Sequence, residues 1–179
     1  EICGLSYDTD ADNIRRQIGI VPQEYALYPT LTARENLQYF GSLYHLKGKQ
    51  LNSLIEDALA IVGLSGEADR RVEHLSGGMK RRINLVAGTL HSPRLLFLDE
   101  PNVGVDVVSK SVIIDYLKDL NRRGVSILYS SHHLLEAQEL CHRIGILSGG
   151  SLIAEDTPQK IIADYNVRNL EDLFLSLRN

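Results

Sequence analysis

The chain has 179 residues, of which 44% are hydrophobic and 23% are charged, and its formal net charge is −4. This apolar content is sufficient for a globular core of one domain or a compact pair of subdomains, and the acidic balance argues against a dedicated nucleic-acid binder. The sequence has no secretory signal at its start and no apolar run of about 18 residues, and its two cysteines lack CxxC spacing, which suits a reducing compartment.

The first half of the chain has the apolar spacing of a short strand followed by helices. Pro22 ends this strand, because proline cannot donate a backbone hydrogen bond to a sheet. Thr32 and Glu35 stand at the spacing of a capping box, and apolar residues then recur at helical intervals. The expected elements are the end of a strand at 1–6, a short helix at 12–17, a strand at 18–21, and helices at 33–44, at 50–62 and from 78 onward.

The second half of the chain alternates between strand and helix, which predicts parallel βαβ units. Leu95–Leu98 is a run of four apolar residues, as expected for a strand that is covered on both faces. Gly149 and Gly150 have the form of a two-residue hairpin turn, and Thr157 followed by Pro158 predicts the start of a helix. The expected elements are strands at 95–98, 125–129, 144–147 and 151–154 and helices at 109–123 and 134–141.

Two adjacent carboxylates follow the strand at 95–98. Asp99 and Glu100 would lie at the carboxyl edge of the sheet, where α/β folds place their ligands. One acid could serve a magnesium ion, which favours oxygen ligands, and the other could serve a water molecule. The plain alternative is an acidic pair that only caps the loop after the strand.

A serine and two glycines precede the helix that is expected from residue 78. Ser76 could simply cap this helix, but Gly77 and Gly78 also let the backbone approach an anion at the positive end of the helix dipole. The three basic residues at 80–82 follow directly. We expect them to be a solvated flank of the helix, since apolar residues recur along one helical face and the whole chain is acidic.

These segments resemble the motifs of the nucleotide-binding subunits of ATP-binding cassette transporters. LSGG at Leu75–Gly78 is similar to the family signature, and LLFLDE at Leu95–Glu100 is similar to the Walker B strand with its catalytic glutamate. Three further segments match in the expected order. IGIVPQ at Ile18–Gln23 resembles the Q-loop, PNVGVD at Pro101–Asp106 the D-loop, and YSSH at Tyr129–His132 the H-loop.

The resemblance implies an α/β fold with a mostly parallel sheet of the P-loop NTPase type, here incomplete, and an inserted all-helical subdomain that carries the signature. It implies an N-terminal β region with the Q-loop at 1–23, the helical subdomain at 24–92, and the remainder of the catalytic core at 93–179. The tail from Gly149 onward, with NLEDLFLSL near its end, is similar to the family's C-terminal segment.

The resemblance also implies a role for each candidate residue. Glu100 would activate the attacking water as the catalytic glutamate, and His132 would contact the γ-phosphate. Gln23 would touch both the magnesium ion and the attacking water, while Asp99 would hold the magnesium ion through its water shell. The residues that would bind nucleotide across the dimer are Ser76, Gly77, Gly78 and Asp106.

The sequence contains no GxxxxGK[ST] P-loop, and its only Gly-Lys pair, Gly48–Lys49, is followed by Gln50. In the family the P-loop lies several tens of residues before the Q-loop, so we interpret the chain as a fragment or truncated product that begins after it. The P-loop amides and lysine neutralise most of the phosphate charge. We therefore expect weak or absent binding of ATP and Mg²⁺ and no ATP hydrolysis by the isolated chain.

The function implied by the resemblance is that of an ATP-hydrolysing subunit of an exporter, from the branch that powers drug, antibiotic or sodium efflux. Its partners would be a transmembrane permease subunit and a second nucleotide-binding subunit, without nucleic acid. This would place it in the cytoplasm, peripheral on the inner face of the cell membrane. The alternatives are a non-transport cassette ATPase in DNA repair or translation, and a catalytically silent interaction or regulatory module.

Overall fold

The computed structural model describes residues 1–176, and the chain forms two compact units, Glu1–Ser130 and Ser131–Asn179. This division does not test the motif-based segments at 1–23, 24–92 and 93–179, which stay a prediction. The elements of the first unit are α1 (Tyr7–Gln17), β1 (Ile18–Val21), α2 (Ala33–Leu43), α3 (Gly48–Ile61), α4 (Gly77–Thr89), β2 (Leu95–Asp99), α5 (Val107–Arg122) and β3 (Ser126–Ser130), with 3-10 turns at Ser65–Glu67 and Val72–His74.

The sheet of the first unit has the order β1–β2–β3, and both pairs of strands are parallel. Val21 pairs with Leu98, and Asp99 pairs with Ser130, so the carboxyl ends of the three strands meet at one edge. Helices α2, α3 and α4 lie between β1 and β2 in the sequence. The predicted α/β fold with a parallel sheet and an inserted helical segment is therefore confirmed.

The two faces of this sheet differ in their exposure. Leu96 and Leu98 of β2 are buried in the core of the first unit. On the opposite face, Ile20 and Leu128 are each 61% exposed, and both are register partners of the half-buried Phe97. The expectation that the strand at 95–98 is covered on both faces is wrong, because helix packing covers only the face that carries Leu96 and Leu98.

Helix α4 contacts α2, α3, α5 and β1 and is buried along nearly its whole length. Its closest approach to the sheet is at Gly88. A Cβ atom on Gly88 would lie 2.6 Å from Val21 Cγ2 and 3.0 Å from the backbone oxygen of Ile20. On the strand side, a Cβ atom on Gly19 would overlap the backbone oxygen of Gly88. The two glycines thus let the helix lie directly against β1.

The basic residues of α4 are not the solvated flank that the sequence predicts. Arg81 is 3% exposed and Arg82 is 9% exposed, while Lys80 is partly buried. Arg82 donates from Nη1 to the backbone oxygen of Val62 at 2.7 Å, and Val62 is the C-cap of α3. A guanidinium at this position satisfies a free carbonyl and complements the negative end of the helix dipole. The expectation is wrong because α4 is enclosed by its neighbours and has little surface left for a solvated face.

The N-terminal residues form a turn and not the strand end expected at 1–6. The backbone N–H groups of Ile2 and Leu5 each donate to the other residue's oxygen at 2.9 Å. Cys3 and Gly4 have φ values of 53° and 79°, which an extended strand does not accept. Helix α1 then begins at Tyr7, and non-helical backbone at Asp10 interrupts it. The short helix expected at 12–17 corresponds to the part of α1 that follows this kink.

The second unit contains α6 (Leu134–Leu140), β4 (Ile144–Ser148), β5 (Ser151–Asp156), α7 (Pro158–Asp164) and α8 (Leu170–Ser176). Strands β4 and β5 pair in antiparallel fashion across Gly149 and Gly150, which confirms the predicted hairpin, whereas no parallel partner of β4 is found among the described residues. Thr157 caps α7 through a bond from the Lys160 amide, as predicted. The NLEDLFLSL segment forms α8, and its last residue, Leu177, lies outside the described residues. None of the described helices combines the length and apolar character that crossing a membrane requires.

The capping box at the start of α2 offers a direct test of local stability. The Thr32 hydroxyl accepts from the Glu35 amide at 3.1 Å, and the Glu35 carboxylate accepts from the Thr32 amide at 2.8 Å. We expect Thr32→Ala to lower the free energy of unfolding by about 1 kcal/mol, because it leaves one helix-start amide without its cap. Urea unfolding followed by circular dichroism measures this change. Thr30→Ala, at an exposed threonine just before the cap, is the control and should change stability by much less.

Candidate functional site

The two acidic residues at the end of β2 are held by a serine at the end of β3. The Ser130 hydroxyl donates to Asp99 Oδ1 at 2.6 Å. The Glu100 amide donates to the backbone oxygen of Ser130 at 3.2 Å and to its hydroxyl at 3.3 Å. The structure therefore places Asp99 and Glu100 together at the carboxyl edge of the sheet. Sequence reasoning missed Ser130, although aligning the ends of the two parallel strands would have set it opposite Asp99.

Glu100 adopts a strained backbone conformation. Its φ is 48°, in the left-handed region that residues with a Cβ atom rarely occupy. Such a conformation costs about 1–3 kcal/mol, and it persists only where surrounding contacts enforce it. The bonds from the Glu100 amide to Ser130 supply part of this restraint. Strained residues often occur at functional sites, but four other non-glycine residues of this chain also have positive φ, so the role of Glu100 in activating water stays a prediction.

The predicted Q-loop residue, Gln23, lies two positions beyond the end of β1. Its backbone oxygen accepts a bond of 2.6 Å from Arg81 Nη2 in α4. Nearby, the Tyr25 hydroxyl donates to the backbone oxygen of Gly77 at 3.2 Å. The structure thus brings the Q-loop segment against the first turns of the predicted signature helix.

The signature residues form the capped start of α4. The Ser76 hydroxyl accepts from the Met79 amide at 3.2 Å, so Ser76 caps the helix. Ser76 and Gly77 are exposed, whereas Gly78 is buried. The free amides of a helix start and the positive end of its dipole favour an anion. The geometry therefore suits phosphate, and the roles of these three residues in binding nucleotide stay predictions.

The D-loop residue Asp106 lies against the signature glycine of the same chain. A Cβ atom on Gly78 would overlap Asp106 Oδ2 and Ser109 Oγ. Asp106 also caps α5, since its Oδ1 accepts from the Ser109 amide at 2.9 Å. This hydrogen bond from the Ser109 backbone lowers the pKa of the Asp106 carboxyl, which is therefore ionised at neutral pH. Asp106 has a clear structural task in its own chain, and its predicted contact across a dimer is untested.

An open cavity of about 430 Å³ lies where the Q-loop segment, α4 and the D-loop meet. Its lining residues are Gln23, Glu24, Tyr25, Arg81 and Val103. Burial lowers the pKa of the Arg81 guanidinium, and the charge interaction with Tyr25 opposes this shift. Arginine nevertheless stays protonated, so the wall of this cavity carries a fixed positive charge.

A magnesium ion at Asp99 would need ligands from outside the protein. Among residues 1–176, no group of three or more His, Cys, Asp or Glu side chains is arranged to hold a metal ion. Magnesium is commonly held by one or two carboxylates together with waters and substrate phosphates. Asp99 fits this pattern, because the bond from Ser130 fixes one of its carboxylate oxygens in place. The residues present are compatible with a magnesium ion that arrives with a nucleotide.

His132, the predicted H-loop residue, belongs to the second unit. It is exposed, and its ring lies 4.2 Å from the ring of His133, centroid to centroid, with an interplanar angle of 37°. Its contact with a γ-phosphate stays a prediction.

Comparison with known proteins identifies the family. Residues 4–103, more than half of the chain, match the family described as ABC transporter. This span includes the Q-loop, signature and Walker B segments. The chain therefore belongs to the ABC transporter family, which confirms the family predicted from the motifs.

Individual relatives share much of this chain's sequence. The chain is 47% identical over 143 residues to the linearmycin resistance ATP-binding protein LnrL of Bacillus subtilis, covering 80% of this chain and 46% of the relative. It is 38% identical over 162 residues to the Nod factor export ATP-binding protein I of Paraburkholderia xenovorans, covering 90% and 53%. The chain thus spans about half the length of these relatives.

A solved structure supports the same fold assignment. It is described as the structure of an ATP binding subunit of an ABC transporter, and it superposes with a TM-score of 0.87 at 26% identity. The match covers 98% of this chain and 74% of that chain. The α/β fold predicted from the sequence is confirmed by this likeness as well as by the parallel sheet.

The contact between Gly78 and the start of α5 predicts that one added methyl group lowers the stability of the fold. We expect Gly78→Ala to lower the free energy of unfolding by about 1–3 kcal/mol, because the new Cβ would overlap Asp106 and Ser109 in a buried position. Urea unfolding measures the loss. Gly66→Ala is the control, since a Cβ there meets nothing within 4 Å. Equal stability of the two variants would contradict the close packing of the signature glycine.

Proposed function

We propose that this chain supplies the signature, Walker B and Q-loop parts of an ATP-hydrolysing subunit that powers export through a separate permease. The observation that carries this proposal is the acid pair, Asp99 and Glu100, fixed by Ser130 at the carboxyl edge of a parallel sheet. The relatives named for linearmycin resistance and for Nod factor export support export over the repair and translation alternatives.

The acid pair divides the chemistry between its two members. Asp99 would hold magnesium through the ion's waters, and the ion would offset the negative charge of the phosphates. Glu100 would accept a proton from the attacking water as a general base, a contribution of typically ~100 to 10,000-fold. Gln23 would orient the same water, because a neutral amide can both accept and donate hydrogen bonds.

Two further groups would bind the triphosphate. The amides of Gly77 and Gly78, in the helix start where Ser76 accepts from the Met79 amide, would bind phosphate held mainly by a second nucleotide-binding subunit. Asp106 would stabilise the dimer of the two nucleotide-binding subunits by accepting hydrogen bonds from the facing subunit. His132 would donate to the γ-phosphate as negative charge develops on it. ATP would therefore be bound between two cassettes.

The partners of the chain follow from this arrangement. A transmembrane permease subunit would carry the exported molecule, and a second nucleotide-binding subunit would complete the ATP sites. We place the working protein in the cytoplasm, on the inner face of the cell membrane. A catalytically silent interaction or regulatory module is the alternative function that the motifs leave open.

The isolated chain should not hydrolyse ATP. The consecutive amides and lysine of a P-loop supply most of the phosphate neutralisation, and none of the motifs in this sequence replaces them. Phosphate release in the presence of Mg²⁺ and ATP measures this, with EDTA as the blank. Magnesium-dependent turnover by the purified monomeric chain, abolished by Glu100→Gln, would contradict the expectation.

A chimera tests the catalytic assignment of Glu100. A segment that carries a GxxxxGK[ST] P-loop would be joined ahead of Glu1. ATP hydrolysis by this chimera would be compared with that of the same chimera carrying Glu100→Gln. We expect Glu100→Gln to lower the rate of ATP hydrolysis at least ~100-fold while ATP stays bound, since glutamine cannot accept the proton.

Glu139→Gln, an exposed substitution in α6, is the matched control and should leave turnover unchanged. A chimera that binds ATP but hydrolyses none with Glu100 in place would favour the silent module. Unchanged turnover in Glu100→Gln would remove this residue from the proposed role.

A further inference from the structure

The segment that follows β1, residues 22–26, is fastened to α4 by side chains. Arg81 Nη1 donates to the backbone oxygen of Pro22 at 3.1 Å, and Nη2 donates to that of Gln23 at 2.6 Å. Asn84, one turn further along α4, donates to Pro22 at 3.3 Å and accepts from the Ala26 amide at 3.1 Å. Both side chains are 3% exposed. The backbone of this loop therefore finds its hydrogen-bond partners on the signature helix.

A third contact joins the same loop to the signature itself. The guanidinium carbon of Arg81 lies 5.0 Å from the centroid of the Tyr25 ring, a distance typical of a cation–π contact. The hydroxyl of that ring donates to the backbone oxygen of Gly77. Tyr25 is thus held by Arg81 at its ring and by the signature loop at its hydroxyl.

Packing alone does not explain why a charged side chain occupies position 81. Both of its acceptors are neutral carbonyl oxygens, and its Nε is buried without a hydrogen-bond partner among the described residues. Burying a cation without a carboxylate is costly, and an apolar side chain of similar volume is often at least as stabilising. A guanidinium offers what an apolar side chain cannot, which is two parallel donors in a fixed plane. The geometry uses this fork on two consecutive carbonyls.

We propose that Arg81 is a positioning residue that ties the Q-loop backbone to the signature amides, so that Gln23 and Gly77–Gly78 move as one body. Helix α4 provides the rigid link, because Gly77 and Arg81 are four residues apart on the same helix. Tyr25 provides the second link, through its hydroxyl. The inference rests on the proposed function in one respect only, namely that nucleotide is the ligand these two segments share.

Hydrogen–deuterium exchange on the whole chain tests the link without any nucleotide. The variants are Arg81→Met, which removes the charge and the fork, and Arg81→Lys, which keeps only the charge. Lys80→Met removes a neighbouring charge from the same helix and is the matched control. Tyr25→Phe removes the hydroxyl link and leaves the ring over Arg81.

In Arg81→Met, we expect the hydrogen-bonded amides within 23–26 and 77–79, which are those of Ala26 and Met79, to exchange about tenfold faster or more. The reason is that two charge-assisted bonds between the loop and the helix are lost. The exchange rates in Arg81→Lys should lie between those of Arg81→Met and those of the parent chain. The exchange rates in Lys80→Met should equal those of the parent chain. Tyr25→Phe should speed exchange at 77–79 alone. If Arg81→Met does not fold, the same graded pattern in Arg81→Lys and Tyr25→Phe decides the question.

Three results would overturn the proposal. The first is faster exchange at 23–26 with no change at 77–79 in Arg81→Met, since the loop would then be held without being linked. The second is a uniform increase across α4 and β2, which a loss of global stability produces. The third is equal exchange in Arg81→Met and Lys80→Met. ATP hydrolysis by the P-loop chimera tests the proposed function separately, since the link is measured without nucleotide.

Discussion

The enclosure of helix α4 is the constraint on which the rest of the first unit depends. The helix meets β1 at Gly88 and the start of α5 at Gly78, and neither contact leaves room for a methyl group. Because it is held at both ends, α4 cannot slide or rotate without breaking its packing on the sheet. Packing therefore fixes the position of the exposed helix start, with its cap and its free amides, where a ligand could bind.

The same enclosure explains why charged and polar side chains of α4 lie inside the protein. Arg82 donates to the C-cap carbonyl of α3, whereas Arg81 and Asn84 donate to the backbone of the loop after β1. Each of these three side chains thus donates to a backbone oxygen of a neighbouring segment. The acid pair follows a similar logic, since Ser130 fixes both Asp99 and the strained Glu100 from the next strand. Preorganised sites are built in this way, by neighbours that restrict the reacting groups.

Local chemistry was enough to predict much of the fold. The capping box at Thr32, the cap at Thr157 and the glycine hairpin each depend on a few adjacent residues, and the structure confirms all three. The motif order was enough to predict the family. What the sequence could not supply was burial, because the exposure of Arg81 depends on elements that lie far away along the chain. Ser130 was missed for a similar reason, since its partner is 31 residues away and is defined by strand register.

The open face of the sheet has a practical consequence. Ile20, Phe97 and Leu128 form a row of apolar side chains across three strands, and the outer two are largely in contact with solvent. Attraction between such surfaces weakens on cooling and strengthens in sulfate or phosphate salts. Purified material should therefore keep best when chilled and dilute in a buffer free of those anions. Warming or salting-out steps would favour association of molecules through this row.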